Sequence, residues 1–238
     1  HENTIVFAIG DIHGQAPALY NLLHKLADFS NDRREMESRF IFLGDYVDRG
    51  IDIASVFDAL IDFQKEFDCI FLRGNHDQMM LDFFENPEDV GPTWVDLGGM
   101  ETIAGYGIQL HSDRKQRNWI EIRDELKKAI PASHIAFLEA TQLRHEEGDF
   151  LFVHAGVNPN RPLDDQLDKD LLWIRDQFLH NSAPLEKMIV HGHTPTEKPV
   201  MTRTRIGVDT GVYLTGVLTA VAIIGSEVRF LSSANFQN

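Results

Sequence analysis

From Thr4 to Ile9 the chain is a short, almost continuous apolar run, and from Ala16 to Phe29 the spacing changes, placing Leu19, Leu22, Leu23 and Leu26 on one helical face. Phe40–Leu43 and Cys69–Leu72 are again strand-like, with a second helical stretch, Ile53 to Phe67, between them. This β-α-β-α-β order predicts a parallel sheet, in which ligands gather at the carboxyl ends of the strands. Residues 87–148 break the rhythm with Pro87, Pro92, Gly98-Gly99, Gly105 and Gly107, followed by polar helical stretches at Asn118–Ala129 and Ser133–Thr141. They predict a mainly helical insertion or cap within a single domain covering residues 1–238. After Asp149 the strand pattern returns at Phe150–Val153, Met188–Val190, Ile206–Asp209, Val217–Ile224 and Val228–Leu231, so the second half is expected to be richer in β-structure.

Composition narrows the class. With 43% hydrophobic and 25% charged residues the chain reads as globular, and no apolar stretch approaches the ~20 residues that cross a bilayer. A formal net charge of -15 repels nucleic acid and anionic membranes, so any phosphate it binds must be met by a few arginines or by metal ions. Cys69 is the lone cysteine; it sits in an apolar run with no arginine at the spacing of a cysteine-dependent phosphatase loop, and is expected to be a buried structural thiol in a reducing compartment. With no secretory signal pattern after His1-Glu2-Asn3, a cytoplasmic monomer is expected.

Chemistry concentrates where strands should end. Gly10-Asp11-Ile12-His13-Gly14, Gly44-Asp45-Tyr46-Val47-Asp48-Arg49-Gly50 and Gly74-Asn75-His76-Asp77 follow the first three strands; His154 and His191 follow two later ones. A single Gly-Asp pair is a common turn former. Five strand ends that each offer a metal-competent group are harder to explain as packing, because buried Asp, Asn and His all need partners. Oxygen and imidazole donors without thiolate suit Mn2+, Fe or Zn2+. Six candidate ligands exceed one tetrahedral set, so two ions with a bridging carboxylate are expected.

As a set, these motifs resemble the phosphoprotein phosphatase family of calcineurin-like metallophosphoesterases, and the chain is similar to its compact bacterial members from residue 5 to about residue 224. The resemblance implies an α/β fold, a four-layer αββα sandwich, with two divalent metal ions, most simply Mn2+, at one edge. Asp11 and His13 would hold the first ion, Asp45 would bridge, and Asn75, His154 and His191 would hold the second. A hydroxide held by the pair would attack phosphorus in line, His76 would protonate the leaving group, and Asp48 would orient His76. Arg49 and Arg175 would bind phosphate; Arg73, paired with Asp48, and Asp209 would support the site from outside. His193 could touch the site or serve structure. The scattered His24, His111, His134, His145 and His180 are expected at the surface or in structural roles.

The implied activity is serine/threonine protein phosphatase, acting on a phosphoprotein or a small phosphomonoester, with no nucleic acid or membrane partner. A dinucleoside tetraphosphate hydrolase shares these ligands and is the alternative, and a non-catalytic binding module is a third. Lys198–Ile206 offers no aromatic equivalent to the substrate-groove contact of the eukaryotic enzymes. Trp94, Tyr106 and Trp119 are expected to shape the groove or to pack a small core of the insertion.

Overall fold

The computed structural model describes residues 3–110 and 117–234; His111 lies outside them. The strands are β1 (Thr4–Ile9), β2 (Glu37–Phe42), β3 (Asp68–Phe71), β4 (Arg144–Glu147), β5 (Phe150–Val153), β6 (Met188–His191), β7 (Val200–Met201), β8 (Arg205–Gly207), β9 (Thr219–Ile224) and β10 (Glu227–Ser232). They form two sheets, ordered β10-β9-β1-β2-β3 and β4-β5-β6-β8-β7. The strands β1, β2 and β3 are parallel, as are β5, β6 and β8; the flanking strands run antiparallel.

Strand alternation shows how the layers stack. Ile5, Phe7 and Ile9 of β1 face one apolar cluster and Val6 and Ala8 face another, so both sides of the strand are buried and its sequence is continuously apolar. The second cluster joins Val6, Ala8, Ile41 and Leu43 to Phe152, Val190 and Ile206, which sets the two sheets face to face. On the outer side of the first sheet lie α1 (Ala16–Asn31) and α2 (Ile53–Phe63), through Leu19, Leu22, Leu26, Phe57 and Leu60. Cutting the fully buried Leu22 to Ala would cost about 2–5 kcal/mol.

Between β3 and β4 comes a helical run: α3 (Asn75–Glu85), α4 (Pro87–Trp94), a π-type turn at Val95–Gly99, α5 (Met100–Gly105), α6 (Trp119–Ala129) and α7 (Ala132–Glu139). The outer side of the second sheet is covered by α8 (Asp168–Trp173) and α9 (Asp176–Leu179), whose Leu171 and Phe178 pack on Leu151, Val153 and Ile189. A last short helix, α10 (Val212–Thr215), precedes β9. The result is the expected α/β order of helices, sheet, sheet, helices.

Two edge strands carry no usable signal in the sequence. The β4 segment, Arg-His-Glu-Glu, is entirely polar, as suits a charged sheet edge, and β7 is only Val200–Met201. Among the described residues no helix is long and apolar enough to cross a membrane. Cys69, expected to be buried, is half-buried on the edge strand β3; burial, with Asp68 beside it, pushes its thiol up to about 12, where thiolate chemistry is negligible.

Candidate metal centre

The carboxyl ends of the parallel strands of both sheets open on one edge of the sandwich. Asp11 and His13 follow β1, Asp45, Asp48 and Arg49 follow β2, Asn75 and His76 start α3 after β3, His154 follows β5, His193 follows β6 and Asp209 follows β8. Among the described residues the non-glycine positions with left-handed backbone are His13 (φ 45°), Asp45 (55°), Asp48 (70°), Arg49 (66°) and His193 (64°). Such conformations cost on the order of 1–3 kcal/mol each and persist where the surroundings impose them. Here all of them lie in this one group of loops.

Hydrogen bonds fix the tautomers. His13 donates Nδ1–H to the Val47 carbonyl (2.8 Å) and His154 donates Nδ1–H to the Leu43 carbonyl (2.9 Å), since a carbonyl can only accept. Burial, followed by the charge of His76 and Arg49, holds His13 well below its usual range, and burial lowers His154 to about 4. Both are therefore neutral near pH 7, with an Nε2 lone pair turned inward. His154 Nε2 faces Asn75 Oδ1 at 2.9 Å and Asp45 Oδ1 at 3.5 Å, and His13 Nε2 lies 3.4 Å from Asp45 Oδ2.

These inward atoms fit divalent cations. With His154 neutral, its Nε2 and the Asn75 oxygen are two acceptors facing each other, a contact that a shared cation relieves. Ligand atoms of Asp45, His154 and His193 lie within 4.8 Å of one another, as do those of His13, Asp45 and His76. Among the described residues, the buried side-chain nitrogen left without a hydrogen-bond partner is His193 Nε2. The carboxyls add to the case: burial raises Asp11, Asp45 and Asp209, and for Asp11 the charges of Asp209 and Asp45 raise it further. A cation would remove that penalty.

His191 corrects one expectation, because it does not join this group. It is the last residue of β6, where Val190 faces the interior between the sheets and Ile189 faces the outer helices, so the period of two sends His191 outward with Ile189. Its ring packs against Phe178 (centroids 5.0 Å apart), its Nδ1–H donates to the Gly192 carbonyl (3.0 Å), and its Nε2 accepts from Arg205 Nη1 (3.3 Å). His193, two residues on, turns into the site. Its backbone N–H donates to both oxygens of Asp11 (3.0 and 3.2 Å), an approach open only because Gly192 has no Cβ, which would stand 2.1 Å from Asp11 Oδ1. Strand parity in Ile189-Val190-His191 was the signal that could have separated the two histidines.

Around the cluster sit the groups suited to phosphate. Arg49 reaches His13 Nε2 with Nη1 (3.2 Å) and His76 Nε2 with Nη2 (3.0 Å), its guanidinium 4.3 Å from the centre of the Tyr213 ring. Tyr213, on α10, also meets His13 edge-on (5.3 Å), so an aromatic does stand beside this site, though it comes from outside Lys198–Ile206. Arg175 is exposed, with Nη1 donating to Thr194 Oγ1 (3.2 Å) next to His193, and the 43%-exposed Trp173 meets the His193 ring edge-on (6.2 Å).

His76 donates Nδ1–H to Asp48 Oδ2 (2.7 Å), leaving Nε2 toward Arg49. Burial works against its charge, yet Asp45 and Asp48 outweigh burial and raise it above its ordinary value. Arg73 corrects a second expectation. Instead of pairing with Asp48 it binds Thr141 Oγ1, Gln78 Oε1 and the carbonyls of Leu138, Glu139 and Thr141, fastening the end of α7 to β3. Besides His76, the partners of the Asp48 carboxylate are Trp94 and Thr102, which nothing in the sequence singled out for that role. Asp77 was also passed over: it accepts from the backbone N–H of Asp45 (2.8 Å), Tyr46 (3.0 Å) and Gly74 (2.8 Å), tying two ligand loops together. Asp209 Oδ1 accepts from the Gly211 N–H (2.8 Å) at the rim of the cluster.

This fold and this loop cluster define a metallophosphoesterase, and the sequence pattern of the calcineurin-like phosphoesterases matches residues 5–216: the chain belongs to that family, whose members use divalent metals. It is 27% identical over 252 residues to the bis(5'-nucleosyl)-tetraphosphatase PrpE of Oceanobacillus iheyensis, covering 96% of this chain and 92% of that protein. The enzyme of the same name from Anoxybacillus flavithermus is 24% identical over 90% of this chain and 88% of its own. Among solved structures, one provisionally named a diadenosine tetraphosphatase superposes with a TM-score of 0.67 at 17% identity, over 99% of this chain and all of that one. A Saccharomyces cerevisiae serine/threonine phosphatase similar to human PP5 gives 0.58 at 15% identity, over 100% of this chain and 82% of that one. At these identities the two structures attest the fold alone.

Proposed function

We propose that this metal-dependent phosphoesterase is a dinucleoside tetraphosphate hydrolase, working as one domain with its helical insertion. The observation that carries the substrate class is the end-to-end similarity to bacterial tetraphosphatases, at least 90% of this chain against 88% or more of theirs in each of the two pairings given above. The site supports it. A polyphosphate is rich in oxygens for Arg49 and Arg175, and the exposed Trp173 and the half-buried Tyr213 put aromatic faces beside the cluster. The serine/threonine phosphatase reading draws on the same ligands and arginines. The tetraphosphatase relatives favour the alternative over it.

Asp11, His13 and Asp45 would hold one divalent ion, and Asp45, Asn75, His154 and His193 the second, with Mn2+ the first choice for this oxygen and imidazole set and Fe or Zn2+ also suited. When bound, the ions would supply a water acidic enough to attack near neutral pH and would neutralise the phosphoryl oxygens. Arg49 leaves the Nε2 atoms of His13 and His76 to clamp a phosphate, and Arg175 braces the chain of phosphates from the His193 side. Water, having given up one proton to solvent, bonds through its oxygen to phosphorus, the bond from phosphorus to the leaving oxygen breaks, and His76 gives that oxygen the proton on Nε2. Asp48 stabilises the charged imidazole until transfer and is left with the neutral ring, which is recharged from solvent.

The test is a substrate comparison with Mn2+-loaded protein: diadenosine tetraphosphate against phosphoserine, phosphothreonine and phosphotyrosine peptides, with nucleotide products separated by chromatography. Cleavage of the dinucleotide to ATP and AMP at the higher kcat/KM is expected. Faster release of phosphate from a peptide would restore the protein phosphatase reading.

A further inference from the structure

The Asp48 carboxylate is fully buried and acceptor-only, and its position is set by the helical run between β3 and β4. Thr102 Oγ1 donates to Oδ1 (2.6 Å), and Trp94 Nε1 donates to Oδ2 (2.9 Å) and Oδ1 (3.1 Å), beside the His76 bond to Oδ2. Thr102 cannot be turned the other way, because its oxygen accepts from the backbone N–H of Asp48 (2.8 Å) and its proton is thereby left for the carboxylate. The indole is donor-only. Both groups are aimed at a charge that would be costly to bury without them.

The same segment holds the strained backbone. Asp48 and Arg49 are consecutive left-handed residues; the Thr102 hydroxyl takes the N–H of one and the Gly98 carbonyl takes that of the other (3.1 Å). Gly98 itself sits at φ 120°, and a Cβ there would stand 2.8 Å from Arg49 Cγ. Trp94 is fully buried against Phe83 (ring centroids 4.8 Å), and Phe83 belongs to α3, the helix that begins with Asn75 and His76. The chain of contacts therefore closes on itself, from His76 to Asp48, to Trp94, and back through Phe83 to the helix of His76.

We infer that Trp94 and Thr102 are positioning residues for leaving-group protonation: they lock Asp48 so that it holds His76 with Nδ1 protonated toward Asp48 and Nε2 turned to the substrate. If they served packing alone, Phe and Val would do as well. The inference rests on the reading of His76 as the acid that serves the leaving oxygen, and on no particular substrate.

The experiment uses the Mn2+-loaded full chain and a series of aryl phosphates running from p-nitrophenyl phosphate, a good leaving group, to phenyl phosphate, a poor one. Trp94→Phe removes the indole N–H together with part of the ring, and Thr102→Val keeps volume but removes the hydroxyl, both as donor to the carboxylate and as acceptor of the Asp48 N–H; Thr102→Ser returns it. Both donor-less variants should lose about ten- to a hundredfold in kcat on phenyl phosphate and clearly less on p-nitrophenyl phosphate, with metal content and KM held and Thr102→Ser within about threefold of the parent. A loss equal across the series, no loss, or a fall in metal content overturns the inference. His76→Asn separates the two layers of argument. If it steepens the leaving-group dependence and the Trp94 and Thr102 variants do not, the positioning role alone fails. If His76→Asn leaves the dependence flat, the acid assignment fails and this inference with it.

Discussion

At the carboxyl ends of the strands, Asp11, Asp45, Asn75, His154 and His193 are set by loops and by the start of α3, all anchored in buried sheet, whereas Trp94 and Thr102 reach Asp48 from α4 and α5, the part of the helical run that holds no candidate ligand and contributes to neither sheet. The strand side collects like charges, neutralised histidines and left-handed backbone, an arrangement that is costly by itself and is relieved by cations. The helical side brings only neutral donors. Damage on the strand side should thus cost metal, and damage on the helical side should leave metal in place and slow the chemistry.

Asp45→Asn is the strongest way to break that division. Asp45 lies within reach of His13, His154 and His193, and an amide in its place has one oxygen and no charge to share between the two clusters. Activity should fall on the order of a thousandfold or more, as expected when several kcal/mol of metal-borne charge stabilisation is lost. Metal analysis should show fewer ions bound per chain. Parental metal content in this variant would sink the picture of a shared carboxylate.

The neighbouring pair His191 and His193 sharpens the contrast within the strand side. His193→Ala should lose about a hundredfold or more in activity together with metal affinity. His191→Ala should keep its metal and lose roughly 1–3 kcal/mol of stability, because Arg205 is stranded without its acceptor and Phe178 without its neighbour. Metal titration beside thermal unfolding distinguishes them; the opposite assignment of losses would return His191 to the ligand set.

That pair also marks how far the sequence could be followed. Strands bounded by Gly-Asp and Gly-Asn turns carry their own signal, since a buried strand is a run of apolar residues and its end is a turn; β1 and β5 fall where the pattern put them. Asp11, Asp45 and Asn75 could be found for the same reason. What could not be found depends on pairing across distance. Trp94 lies 46 residues from Asp48 and Thr102 lies 54, and an indole in a Pro- and Gly-broken helical stretch is indistinguishable from a packing residue until its N–H is seen to point at a carboxylate. The polar edge strand β4 and the tyrosine beside Arg49 were hidden likewise, one lacking any apolar period and the other lying outside the segment where an aromatic was sought.

The charge crowding on the strand side gives a pH dependence whose sign can be fixed above about 7.5. Asp77, raised by burial and then by Asp45 to about 7, binds more protons folded than unfolded, so its contribution is lost as pH climbs through that value. His76 is raised above 6.5, where burial is outweighed by Asp45 and Asp48, and its contribution is lost as pH rises through the raised value. The lowered His13, His154, His191 and His193 act with the opposite sign, and since half of the unfolded imidazoles still hold a proton at 6.5, their window closes only about one unit above it. Chelator-treated protein should therefore melt at a lower temperature at pH of about 8.5 than at about 7.5, and excess Mn2+ should flatten the trend. A melting temperature that climbs over this range without metal would contradict the origin assigned to the crowding.

The smallest effect is expected from the other anchor of the helical side. Tyr106, just after α5, hydrogen-bonds through its hydroxyl to His134 Nδ1 (2.9 Å), and His134 Nε2 lies 3.1 Å from the mostly exposed Asp58 of α2. This chain pins the same helical run to the body of the protein without touching Asp48. Tyr106→Phe removes one net hydrogen bond, about 1 kcal/mol, and leaves the ring in place. Its leaving-group dependence on the aryl phosphate series should match the parent's, in contrast to Thr102→Val, even though both variants loosen the same segment. If Tyr106→Phe steepened that dependence as Thr102→Val does, general loosening of the helical run would account for both, and the particular aim of the Trp94 and Thr102 donors would no longer be needed to explain how His76 is held.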